Sequence, residues 1–98
     1  MKGPRPAGYW SANASEQSYR HLESGRTYEV AEDFLDHDRI PHRVGERWTF
    51  AGSSYVPEKN RILLFVQTSE GEWRIRLQLT EDEQLDVSRV LHMYLREV

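Results

Sequence analysis

The sequence predicts an α+β domain: four antiparallel strands forming an SH3-like, partly open barrel or bent sheet, with a C-terminal helix and a short N-terminal helix. Three observations predict it. Trp73, Ile75, Leu77 and Leu79 alternate with Arg74, Arg76 and Gln78, the period of a strand with one apolar face. Ile62 to Val66 is an unbroken apolar run of strand length, which suits a central strand covered on both faces. Val87, Val90, Leu91, Tyr94, Leu95 and Val98 recur at helical spacing near the end of the chain.

The elements follow in order. Residues 1–14 hold Gly3, Pro4, Pro6 and Gly8, which sustain neither helix nor ladder, and they read as a flexible arm ahead of a single domain over residues 15–98. Ser15 to Glu23 has an N-cap serine, Tyr19 and Leu22 three apart, and Gly25 beyond, the signature of a short helix. In Arg26 to Ala31, Tyr28 and Val30 share one face of a first strand. The second carries Trp48 and Phe50 between Gly45 and Gly52. Ile62 to Val66 is the third, joined to the fourth by a tight connection in which Gly71 takes positive φ. Thr80 and Glu83 have capping-box spacing, so a helix is expected from Glu81 to Arg96.

With 98 residues, one domain is the natural count. Hydrophobic residues are only 38% of the chain but aromatics reach 11%, so a few large side chains fill the core. Thirteen basic residues against 16 acidic give a net charge of -3, which provides no field to attract a phosphate backbone, and nucleic acid is not the expected partner. The absence of cysteine removes disulfides, thiolate catalysis and cysteine zinc sites together. No apolar run approaches the roughly 20 residues of a membrane span, so no membrane role is expected and a cytoplasmic location is the default.

Several segments, taken together, resemble a family of small bacterial domains. They are Tyr19 to Leu22, Gly25 to Val30, Gly45 to Phe50, Leu64 to Val66, Ile75 to Gln78, and Glu83 with Gln84. In that order they resemble domain-of-unknown-function family 3601. The resemblance runs from about Tyr19 to Leu95 and implies a bacterial intracellular protein with this strand order. It transfers no catalytic residues. The chain departs from the family at Val56 to Asn60, where a more acidic, glycine-bearing turn is the family pattern.

Three groups of residues carry candidate chemistry. Arg74, Arg76 and Gln78 project from one strand face and offer paired donors to an acidic peptide or phosphate, unless Glu46 or Thr49 lies across from them in a register-holding ladder. Tyr9 and Trp10 are aromatic anchors, for a partner or for docking the arm. Asp36, His37, Asp38 and His42 are the only clustered metal-capable side chains, at a spacing that favours a solvated loop. No Walker loop, dinucleotide loop or Gly-x-Ser-x-Gly turn is present. The expected function is a non-catalytic protein-interaction module without a cofactor, binding a protein partner. The alternative is a small metal-dependent or hydrolytic enzyme using the Asp36 to His42 loop.

Overall fold

Strands take up 47% of the chain and helices 15%, so the fold is mostly β and not α+β. The computed structural model describes all 98 residues. In chain order the elements are β1 (Lys2–Arg5), a 3-10 turn (Ser11–Asn13), β2 (Ser18–Tyr19), β3 (Leu22–Glu23), β4 (Thr27–Val30), β5 (Phe34–Leu35), β6 (Pro41–His42), β7 (Arg47–Val56), β8 (Arg61–Thr68), β9 (Gly71–Gln78), α1 (Asp82–Arg89), α2 (Leu91–Tyr94) and β10 (Leu95–Glu97). Six strands form one antiparallel sheet in the order β1-β9-β8-β7-β4-β10, while β2-β3 and β5-β6 are separate two-stranded sheets. The four expected strands are the middle of the large sheet. β1 and β10 extend it at opposite edges that never meet, so there is no barrel.

Both expected helices need correction. Ser15 to Glu23 is not helical. Ser15 and Glu16 donate to the Ser53 carbonyl, Ser53 donates back to Glu16, and the chain then turns through Arg20 at φ 56° into the β2-β3 hairpin. Tyr19 and Leu22 pair directly across that turn. Three-residue spacing marks one helix face and also the closing pair of a two-residue hairpin, and here β7 captures the backbone groups that a helix would have used.

The C-terminal helix runs only from Asp82 to Arg89, breaks at Val90 (φ -120°, ψ 43°), and resumes for one turn in α2. Leu95 to Glu97 then pair with β4 as a strand. Two ionic contacts favour that ending: Arg96 bonds Glu29, which also receives Arg47, and Arg26 bonds Glu97 at 3.0 Å. The capping box does not form either. No side chain caps α1, and Gln84, three residues after the Glu81 N-cap, instead accepts the Gln78 amide at 2.6 Å.

One face of the sheet holds the core. Tyr28, Val30, Trp48, Phe50, Leu64, Val66, Ile75 and Leu77 are buried there, closed over by Leu22, Phe34, Val87, Leu91 and Leu95 from the smaller elements. Phe65, the fourth residue of the apolar run, points to the opposite face and is also buried. Its register partners are Gly52 and Arg74, and both lie against the first 16 residues: a side chain at Gly52 would meet Ala14, and Arg74 stacks on Trp10. The outer face is thus partly covered by the start of the chain.

Gly71 is held by the same strapping. Its φ is 137°, and a Cβ there would sit 2.5 Å from the Arg5 carbonyl oxygen on β1. Gly71→Ala is expected to lower stability by about 1–2 kcal/mol, because the backbone strain adds to a clash with main chain that cannot swing away. Urea unfolding of the variant checks this, and an unchanged midpoint would show that β1 has room to move.

Candidate functional site

The β5-β6 hairpin places the acidic loop residues. Phe34 pairs with His42 in register, and their rings stack with centroids 4.7 Å apart. His42 is fully buried, with Nε2 2.7 Å from Asp36 Oδ2 and Nδ1 2.6 Å from Glu46 Oε2. Glu46 also accepts the Trp48 indole N–H at 3.1 Å. Asp36 has no exposed surface and accepts the amides of Asp38 and Ile40 besides the Met1 ammonium. Burial alone would depress the His42 pKa, but the bonds from Asp36 and Glu46 outweigh it and raise the value above the ordinary one. Burial would raise Asp36, and here His42 and the Met1 ammonium outweigh it and lower the value.

The metal-capable residues do not converge. Only Asp36 and His42 meet. His37 turns towards Arg61, with its other ring nitrogen 3.4 Å from Glu81, and Asp38 bonds Arg76. No group of three or more histidine and carboxylate side chains is arranged to hold a metal ion.

The polar face of β9 is divided among three neighbours. Glu46 is not one of them, since its carboxylate is committed to His42 and Trp48. Arg76 is bonded by Asp38, whose pKa falls to about 2, first through that bond and against its burial. Gln78 is buried, accepting from Arg61 Nε at 2.7 Å and donating to the Lys59 carbonyl and the Thr80 hydroxyl. Arg74 lies over the Trp10 ring at 4.8 Å. Tyr9 packs edge-on against Trp10 and keeps 53% of its surface exposed.

A concave site lies elsewhere, between the β5-β6 hairpin and α1. Its floor is Phe34, Val87 and Tyr94, with Phe34 and Tyr94 in edge contact and Leu35, 42% exposed, as one wall. Asp33, Glu83 and Asp86 form the rim of this cavity of about 220 Å³. A shallower extension of about 370 Å³ continues past Pro41 and Arg43. Asp33 is fixed by the Val44 amide at 2.8 Å and Arg43 at 3.2 Å, which lower its pKa in that order. Glu83 and Asp86, three apart on one side of α1, are exposed and form no ion pair.

The fold is shared with a solved protein. An integron cassette protein from the mobile metagenome of Vibrio cholerae matches with a TM-score of 0.81 and 26% identity, over 85% of this chain and 95% of that one. No family model matches, so the resemblance to family 3601 is not confirmed. No curated protein matches either. The neighbour is consistent with a bacterial domain of unknown function. No helix of the chain is long and apolar enough to cross a membrane.

Sequence reasoning missed the rim of this cleft. Asp33 reads as the end of a strand, and Glu83 reads as a helix-capping residue. Their meeting depends on the β5-β6 hairpin folding back towards α1, some 50 positions along the chain. No local signal marks the rim: Asp86, an exposed carboxylate on α1, is what the solvated face of any amphipathic helix carries.

Proposed function

We propose that this chain is a non-catalytic interaction module that takes a lysine or arginine side chain of a protein partner into the cleft between the β5-β6 hairpin and α1. The observation that carries this reading is the pairing of an apolar floor with Glu83 and Asp86, two carboxylates left without ion-pair partners. Long cationic side chains bury an apolar stem while keeping the charged head at a polar rim, and this cleft has that division. Shape and charge favour a side chain with flanking peptide: the cleft is open and continues along the β5-β6 hairpin past Pro41 and Arg43, and its free charges are both acidic. At about 220 Å³ the deeper part suits one side chain, and the shallower extension suits the flanking peptide.

The enzyme alternative has less support. A general base at the Asp36 to His42 loop needs a ring nitrogen that substrate can reach, yet both nitrogens of the fully buried His42 are occupied by carboxylates, and His37 has its Nε2 against the Arg61 guanidinium and its Nδ1 buried.

The test is a titration of the isotope-labelled full chain with short valine-flanked peptides carrying a central lysine, arginine or norleucine. The cationic peptides are expected to give saturable shifts at Phe34, Val87 and Tyr94. The Glu83→Lys, Asp86→Lys double variant should weaken binding at least tenfold, and so should raising salt from about 0.05 to 0.5 M, since the rim is exposed and readily screened. Equal binding of the norleucine peptide, or shifts confined to other surfaces, would overturn the proposal.

A further inference from the structure

The outer face of β9 holds a second, separate feature. Register places Arg61 opposite Gln78, Leu63 opposite Arg76, and both Phe65 and Lys2 opposite Arg74, so three guanidinium groups share one side of the sheet. Asp38 is the only carboxylate bonded to any of them, and it is bonded to Arg76. Arg61 spends its Nε on Gln78 and faces His37 with Nη2. Arg74 forms no ion pair, and its buried Nε has no acceptor. The indole N–H of Trp10, the ring on which Arg74 rests, is likewise buried with no acceptor.

We propose that this face binds an oxyanion, a carboxylate or a phosphate group, with the Arg74 guanidinium as the principal donor and the Arg76 and Arg61 charges further along the same face adding to the positive field. Two arguments support this. A stacked guanidinium is held in a fixed orientation, and its planar fork matches two oxygens of a carboxylate or phosphate better than a mobile lysine does. Charge agrees: Arg61, Arg74 and Arg76 share the face, Asp38 pairs with Arg76, and the buried Glu72 two residues before Arg74 is committed to the amides of Gly8, Trp10 and Ser11, so Arg74 has no ion-pair partner. The local environment agrees, because burial and the Arg76 charge pull the Arg74 pKa below its ordinary value, with Arg61 adding to this and Asp38 opposing it. The sequence-level candidates thereby narrow. Arg76 and Gln78 are internally satisfied, and Arg74, with Trp10 beneath it, is left without an ion-pair partner.

The site lies on β9 and the N-terminal segment, away from the α1 cleft, so it stands or falls independently of the peptide proposal. The experiment is a titration of the labelled chain with inorganic phosphate and with succinate, at ionic strength held constant by sodium chloride. It follows the Arg74 Nε–H and Trp10 indole N–H resonances. Saturable movement of both with phosphate, succinate or both is expected, and whichever probe binds at lower concentration identifies the chemistry. Arg74→Met should weaken binding at least tenfold. Arg74→Lys keeps the charge but loses the fork, should weaken it severalfold, and serves if the methionine variant does not fold. Linear shifts equal to those in chloride alone, or saturable binding unchanged in both Arg74 variants, would overturn the proposal.

Discussion

His42→Ala is expected to destabilise the protein by about 3–5 kcal/mol, the cost of removing one partner from a buried ionic group. The side chain touches no solvent and joins Asp36 to Glu46, so truncation leaves the fully buried Asp36 without the imidazole and opens a gap beneath Phe34. The loss should depend on pH, and its sign follows from the raised His42 pKa. A folded value above the unfolded value of about 6.5 means that the histidine contributes fully below pH 6.5. That contribution disappears as pH rises through the folded value. Asp36 and Asp38 act in the opposite direction: their lowered values contribute above about pH 4 and are lost in acid, down to about 2 for Asp38. The groups that face His42 and its partners are Asp36, Glu46, Asp38 and the Met1 ammonium. Stability should therefore be greatest between about pH 4 and 6.5, and the wild-type advantage over His42→Ala should shrink towards pH 9. Urea unfolding of both proteins at pH 5.5 and 9 measures this. Equal midpoints at pH 5.5 would remove the ionic account of the hairpin.

That prediction rests on contacts only partly visible in the sequence. Strand alternation in β9 and the apolar run in β8 were legible because each is a local pattern facing a common core. The helix expected at Ser15 to Glu23 was misread because Tyr19 and Leu22 obey a spacing that two structures share. The last turns of the C-terminal helix were misread for a different reason: Leu95 is apolar and buried whether it lies on a helix or a strand. What decides is the free edge of β4 and the Glu29 carboxylate, both more than 60 positions earlier. The same holds for the site residues. Arg74, Arg76 and Gln78 look alike from the alternation, and only Trp10, Asp38 and Arg61, brought in from three other segments, distinguish them.

Glu72 shows how much of that assembly depends on a residue with no visible motif. It has no exposed surface, and its carboxylate accepts the amides of Gly8, Trp10 and Ser11 at 2.9, 2.7 and 2.7 Å, together with the Ser11 hydroxyl and the Gln67 amide. Burial alone would raise its pKa, and these bonds, led by the Gly8 amide, lower it instead. Bonds to a charged acceptor contribute about 1.5–3 kcal/mol each, but they are not additive here, since the segment can release its donors to water. Glu72→Ala is therefore expected to cost about 3 kcal/mol, capped by the docking energy of residues 6–16. Glu72→Gln should be nearly as damaging, because it puts an amide N–H₂ where two donors already point. In either variant the segment should detach from β9 while the core sheet persists. Chymotrypsin should then cut at Tyr9 and Trp10 much faster than in the wild type, with Trp10 fluorescence shifting red as its ring leaves Arg74. If cleavage rate and emission are unchanged, the segment is held by β1 pairing and aromatic packing, and Glu72 is only a passenger beneath it.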